Sequence, residues 1–131
     1  MSEQSVALAK RVVAAFNRRD VPGLTEMVTD EFQWVTWTST VEHTAYHGAD
    51  GLASYFRDAD VWEVLNLDVE EYRDLGDEVL VVGVFHLRGG GSGVEVDAPY
   101  YSAFFVKGGK LARVLSFRTE AGALAALGRP T

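Results

Sequence analysis

The apolar positions change period at Trp62, where a mostly helical first part gives way to a mostly strand-forming second part. Val6, Ala9, Val13 and Phe16 recur at helical spacing, and Leu8, Val12 and Ala15 widen the stripe. With Ser2 or Ser5 able to cap its start, a helix is predicted to about Arg19. Asp20 stands two residues before Pro22, as an N-cap stands before a first-turn proline, and Leu24, Met27 and Val28 give a short second helix its buried side. A strand is expected from near Phe32. A third helix is expected from about Asp50 to Asp60, with Leu52, Tyr55 and Phe56 as its stripe.

From Trp62 onward the period is two. Leu65, Leu67 and Val69 alternate with polar partners, Gly76-Asp77 turns the chain, and Val79 to Arg88 runs back. The GGGSG segment from Gly89 to Gly93 makes a hairpin connection into Val94 to Val106, and Gly108-Gly109 makes a tight one into Leu111 to Arg118. A last short helix from about Glu120 to Leu127 closes at Gly128, with Pro130 just beyond. The predicted fold class is α+β: a strongly curved antiparallel sheet packed against three N-terminal helices, with a short C-terminal helix. Three short helices cannot fill the concave side of such a sheet, so a cavity is expected between the layers.

Composition narrows the functions this frame can serve. At 131 residues the chain is expected to form a single domain over 1–131 with one sizeable core. It has no cysteine, which excludes disulfides, thiolate zinc sites and cysteine nucleophiles. The N-terminus places Glu3 before its basic residues and has no unbroken apolar core, and no apolar run approaches spanning length, so a soluble, cytoplasmic protein without membrane contact is expected. A net charge of -7 argues against nucleic acid, which proteins hold through clustered Lys and Arg. The glycine-rich segment leads into a strand and lacks a Lys-Ser or Lys-Thr pair, so it predicts no phosphate loop and no nucleotide cofactor.

The ordered set AAFNRRDVPGL, DEFQW, YHGADGLASYF, GVEVDAPYY and GGKLARVLSF resembles the nuclear transport factor 2-like superfamily, specifically its SnoaL-like, polyketide cyclase-like branch. The resemblance spans nearly the whole chain. It implies a cone-shaped, cystatin-like α+β barrel, often dimeric through its sheet, with a largely apolar pocket serving isomerases, cyclases, dehydratases, epoxide hydrolases or plain binders. It also implies positions for catalytic groups. The ketosteroid-isomerase branch has a general-base aspartate late in the first strand, where this chain has Thr36. That branch uses a first-helix tyrosine and a protonated acid on the penultimate strand as oxyanion donors, and Val12 and Ser102 stand there. Cyclase-like members carry an acid/base aspartate at the end of the last strand, where this chain reads Arg118-Thr119-Glu120. No Asp-Arg-Asp relay of the epoxide-hydrolase kind is found either.

The residues themselves offer other candidates. His43 lies in the hydroxyl-rich segment TWTSTVEHTAY, and imidazole alone among side chains exchanges protons near neutrality at its ordinary pKa. The competing reading is a solvent-exposed loop histidine. His43 and His47 are four apart, but zinc would need both on one helical face and a third ligand, and Gly48 opposes a helix there, so no metal is expected. On the last strand, parity groups Arg118 with Ala112, Val114 and Ser116, opposite Leu111, Arg113, Leu115 and Phe117. If the first set faces the cavity, a guanidinium enters it and needs an anionic or carbonyl oxygen. The alternative is a strand-end arginine paired with Glu120. Tyr100, Ser102 and Phe104 share one face of the neighbouring strand. With Trp34, Thr36, Tyr55, Phe56 and Ser116 they form the expected ligand-binding set, although ordinary core packing explains the aromatic members equally well.

The strand Val79 to Arg88 is apolar on both faces, with Val79, Val81, Phe85 and Leu87 on one and Leu80, Val82 and Val84 on the other. A second copy of the sheet is the expected cover for the outer face, hence a homodimer. The function these features predict is a small-molecule pocket for a hydrophobic cyclic or polyketide-like compound, serving an isomerase, cyclase or hydrolase with His43 and Arg118 as polar groups. The alternative is a non-catalytic binding or assembly module.

Overall fold

A computed structural model describes residues 2–35, 45–91 and 93–128. Helix α1 (Ser2–Asn17) buries Leu8, Ala9, Val12, Val13, Ala15 and Phe16 along one stripe, as its spacing predicts. It ends in a Schellman motif: the Asp20 amide donates to Ala15 O and the Arg19 amide to Phe16 O, both at 2.9 Å, with Arg19 left-handed at φ 55°. Asp20 then caps α2 (Val21–Met27) by accepting from the Gly23 amide at 3.0 Å, with Pro22 in the first turn. Strand β1 (Val28–Val35) starts directly after α2, four residues before Phe32, because Val28 is already extended and pairs with Leu111. A register shift between Val28 and Gln33 separates that first pair from the rest of the strand.

A two-residue strand β2 (Tyr46–His47), which the period of the sequence does not reveal, pairs Tyr46 with Trp34. Gly48, at φ 63°, turns the chain into helix α3 (Gly48–Asp58), and a 3-10 turn over Ala59–Val61 leads to the sheet. Gly51 lets α3 lie against β2, since a Cβ there would come within 2.7 Å of the Tyr46 carbonyl carbon. Strands β3 (Trp62–Asp74), β4 (Glu78–Gly89), β5 (Glu95–Lys107) and β6 (Lys110–Phe117) form the predicted antiparallel meander, and α4 (Glu120–Ala126) follows, capped by Thr119.

Among the described residues the sheet has six strands in the order β2-β1-β6-β5-β4-β3. It is mixed and mostly antiparallel, because β1 runs parallel to β6 while the other pairs are antiparallel. The core lies between the concave face and helices α1 to α3, where Val79, Val81 and Phe85 meet Val12, Phe16 and Leu52. The outer face, for which a second copy of the sheet is the expected cover, is covered in part by α4. Leu80 and Ala103 pack there with Ala123 and Leu127, and Arg73 on β3 holds Glu120 at 3.0 Å. Glu120 therefore pairs with Arg73. No helix among the described residues is long and apolar enough to cross a membrane.

Candidate functional site

The side chains at the mouth of the concave face are aromatic because three elements converge there. Trp34 on β1 and Tyr46 on β2 are cross-strand partners, and Tyr55 arrives one turn before the end of α3. Trp34 and Tyr55 stack at 4.1 Å between centroids, and Tyr46 stands perpendicular to Tyr55 at 5.4 Å and 87°. Phe16 supports the group from α1, with its ring 5.7 Å from both Trp34 and Phe85 and 5.5 Å from Phe56. Edge-to-face pairs of this kind add to the energy of burial itself.

Two cavities meet at Trp34, Phe85 and Tyr100, which line both. The inner one, about 40 Å³, is bounded by Val12, Phe16, Leu52, Phe104 and other apolar side chains. Its lining is almost entirely apolar, with Tyr100 and the Trp34 indole as the members that carry a polar atom. The outer one, about 230 Å³, is walled by Tyr46, Tyr55, Trp62, Leu65 and Leu87, with Asp58 and Ser116 as its polar members besides the tyrosine hydroxyls.

The deep polar feature is a hydroxyl pair. Tyr100 Oη lies 3.2 Å from Ser116 Oγ, and both residues are buried. Beside them Ser102 Oγ donates to the Leu115 carbonyl at 3.1 Å, so its oxygen is left as an acceptor. Burial raises the Tyr100 phenol above its ordinary value against the lowering effect of the two serines, and burial raises Tyr55 as well. Both phenols are therefore neutral hydrogen-bond donors at any physiological pH. At the rim, Tyr46 Oη donates to Asp58 Oδ2 at 3.2 Å.

Of the residues singled out in the sequence, Trp34, Tyr55, Tyr100 and Ser116 line the outer cavity and Phe104 the inner one. Phe56 is buried behind the wall against Phe16, and Ser102 is fully buried beneath it. Thr36 and His43 lie outside the described residues. Arg118 does not share the cavity with Ser116. Strand β6 ends at Phe117, and Arg118 is exposed in the bend that follows. Strand parity also fails at Leu111, which joins Val114 in the core because a bulge between Phe105 and Val106 inserts a residue into β6. Asp58, Tyr46 and Trp62 escaped the sequence reading, since they come together only where α3, β2 and the start of β3 meet. Among the described residues no group of three His, Asp or Glu is placed to hold a metal ion.

A curved, mostly antiparallel sheet packed against three helices on its concave face and a short helix behind defines an α+β fold class. The chain belongs to the SnoaL-like domain family, whose model matches residues 9–114. It is similar in structure to an NTF2-like protein of unknown function from Burkholderia pseudomallei, with a TM-score of 0.78, 16% identity, and coverage of 93% of this chain and 95% of that one. It is also similar to a putative SnoaL-like polyketide cyclase from Shewanella denitrificans, with a TM-score of 0.76, 18% identity, and coverage of 93% and 97%. A putative polyketide cyclase from Xanthomonas campestris gives a TM-score of 0.76 at 19% identity, covering 95% and 96%. These likenesses show the fold. No curated protein sequence matches the chain.

Proposed function

We propose that the chain binds a compact, mostly apolar cyclic molecule and holds one of its oxygens against the Tyr100–Ser116 pair, as an isomerase, cyclase or hydrolase acting at a carbonyl. The observation that carries this is the hydroxyl pair itself, 3.2 Å apart in a wall that is otherwise aromatic and aliphatic. Such a wall sorts ligands by shape, and one placed donor fixes their orientation. If Ser116 donates to Tyr100, the phenol proton is left to point at the ligand. A neutral phenol aimed at an oxygen on which negative charge develops stabilises that charge in a site from which water is excluded. The polyketide cyclase-like neighbours support a carbonyl compound as the ligand class.

A second reading, a non-catalytic binder, is favoured by a different observation. Val12 contributes only a wall of the inner cavity, and Ser102 spends its proton on a backbone carbonyl. Native mass spectrometry against a panel of aromatic polyketides and steroids, followed by turnover assays on each hit, separates the two. Turnover lost in Tyr100→Phe with binding weakened no more than about tenfold supports the enzyme; tight binding without turnover supports the binder.

The same reading includes a homodimer through the outer face of the sheet. Helix α4 covers Leu80 and Ala103 and Val82 packs partly against that cluster, whereas Val84 farther along β4 stays half-buried. Sedimentation that finds a monomer throughout the micromolar range contradicts this assembly.

A further inference from the structure

The chemistry of the outer cavity is lopsided, and the imbalance points to the charge of what enters. Its lining holds six aromatic residues, Trp34, Tyr46, Tyr55, Trp62, Phe85 and Tyr100, and one carboxylate, Asp58. The described lining contains no Lys, Arg or His. The Arg19 guanidinium is not part of this lining, although it donates to the Trp62 carbonyl at 2.6 Å and its charge reaches Tyr55, so Asp58 is the one charged side chain of the described lining itself. Aromatic faces attract cations through their quadrupole, and desolvation strengthens the attraction.

We propose that the outer cavity takes a small molecule bearing an alkylated ammonium group, with the cation held among Tyr46, Tyr55 and Trp62 and Asp58 as its counter-charge. This rests on the reading above for the other end of the ligand, whose oxygen meets Tyr100 and Ser116. Three relationships support it. Tyr46 and Tyr55 meet at 87°, so a face and an edge form a corner instead of a closed stack. Tyr46 Oη donates to one oxygen of Asp58, which orients the carboxylate and leaves its other oxygen for a ligand. The net charge of -7 adds a long-range field that draws cations and repels anions. Tyr46 is thus a positioning residue, acting on the ligand through Asp58 as well as through its own ring.

The test uses a matched pair of probes, choline and its uncharged isostere 3,3-dimethylbutan-1-ol, titrated at low salt with intrinsic tryptophan fluorescence as the signal. The expected result is that choline binds at least about tenfold more tightly than the isostere. Asp58→Asn should abolish most of that preference. Tyr46→Phe should reduce it while leaving the isostere unaffected. Asp58 is exposed, so its replacement leaves the core intact, and circular dichroism of each variant verifies that. Equal binding of the two probes, or an undiminished preference in Asp58→Asn, overturns the proposal. A neutral cyclic ketone titrated in parallel keeps the outcomes apart. If it binds with dependence on Tyr100 and Ser116 while choline shows no advantage, the cation site is wrong and the pocket stands. If neither the ketone nor choline binds, both are wrong.

Discussion

Tyr100 and Ser116 face each other from β5 and β6 across the wall of the cavity, hydroxyl to hydroxyl at 3.2 Å, and each is nearly inaccessible to solvent. A buried hydroxyl that loses its partner keeps its desolvation penalty, whereas removing both hydroxyls removes the penalty with the bond. Tyr100→Phe and Ser116→Ala should therefore each destabilise the fold by about 1–3 kcal/mol. The double variant should cost less than the sum, with a coupling of about 0.5–3 kcal/mol, read from urea unfolding of the four proteins. Additive effects would mean that the two hydroxyls do not bond.

Asn17 performs an equivalent service at the sheet edge. Its side chain donates to the Leu67 carbonyl at 3.0 Å and accepts from the Leu67 amide at 2.8 Å, closing the outward backbone groups of the edge strand β3. Asn17→Ala leaves both groups without that partner and should cost about 1–3 kcal/mol. Asn17→Asp keeps the acceptor and should cost less than Asn17→Ala. Hydrogen exchange at the Leu67 amide reads the effect directly, faster in Asn17→Ala than in Asn17→Asp.

Phe16 meets Trp34, Tyr55, Phe56 and Phe85, so one α1 side chain props the wall that the cavity depends on. Phe16→Ala should lower stability by about 3–5 kcal/mol. Phe16→Leu, which keeps most of the volume, should cost much less and still alter tryptophan emission. An unchanged emission spectrum in Phe16→Leu would contradict the contact with Trp34.

Alkaline pH should weaken the fold through its buried phenols. Burial raises Tyr55, Tyr72 and Tyr100 above the ordinary 10.0, so above pH 10 the unfolded chain gives up protons that the folded chain keeps. Their contribution to stability is whole below pH 10 and is lost as pH rises through the raised folded values. A spectrophotometric titration at 295 nm should show these phenols ionising late, Tyr55 only together with unfolding. Reversible ionisation of all five tyrosines near pH 10 with the fold intact would exclude the buried placement.

Most of the fold is legible in the sequence, because each element carries its own period and its own stop. The α1 stripe, the Asp20 cap with Pro22, the two faces of β4 and the glycine turns are local signals, and the structure follows them. Nonlocal features are not written in this way. The parallel pairing of β1 with β6 depends on how α2 returns the chain, and the Leu111 side chain depends on a bulge that one-strand parity ignores. The site divides along the same line. Trp34, Tyr55, Tyr100 and Ser116 fall on one cavity because period two and period 3.6 each aim a face at the same side. Asp58 and Tyr46 carry no signal of their own, since only the packing of α3 on β2 brings carboxylate and phenol to 3.2 Å. Arg118 lies one residue past the end of its strand, where strand parity no longer assigns its side chain a face.

The most direct measurement is the dissociation constant of one cyclic ketone, taken from the native mass spectrometry hits, against the wild type, Tyr100→Phe and Ser116→Ala. The account predicts that each variant binds about 3- to 10-fold more weakly, the worth of one hydrogen bond, while the same ligand with its oxygen removed binds all three proteins alike. A ketone that binds the wild type and both variants equally would contradict the claim that this hydroxyl pair is what the pocket presents to its ligand.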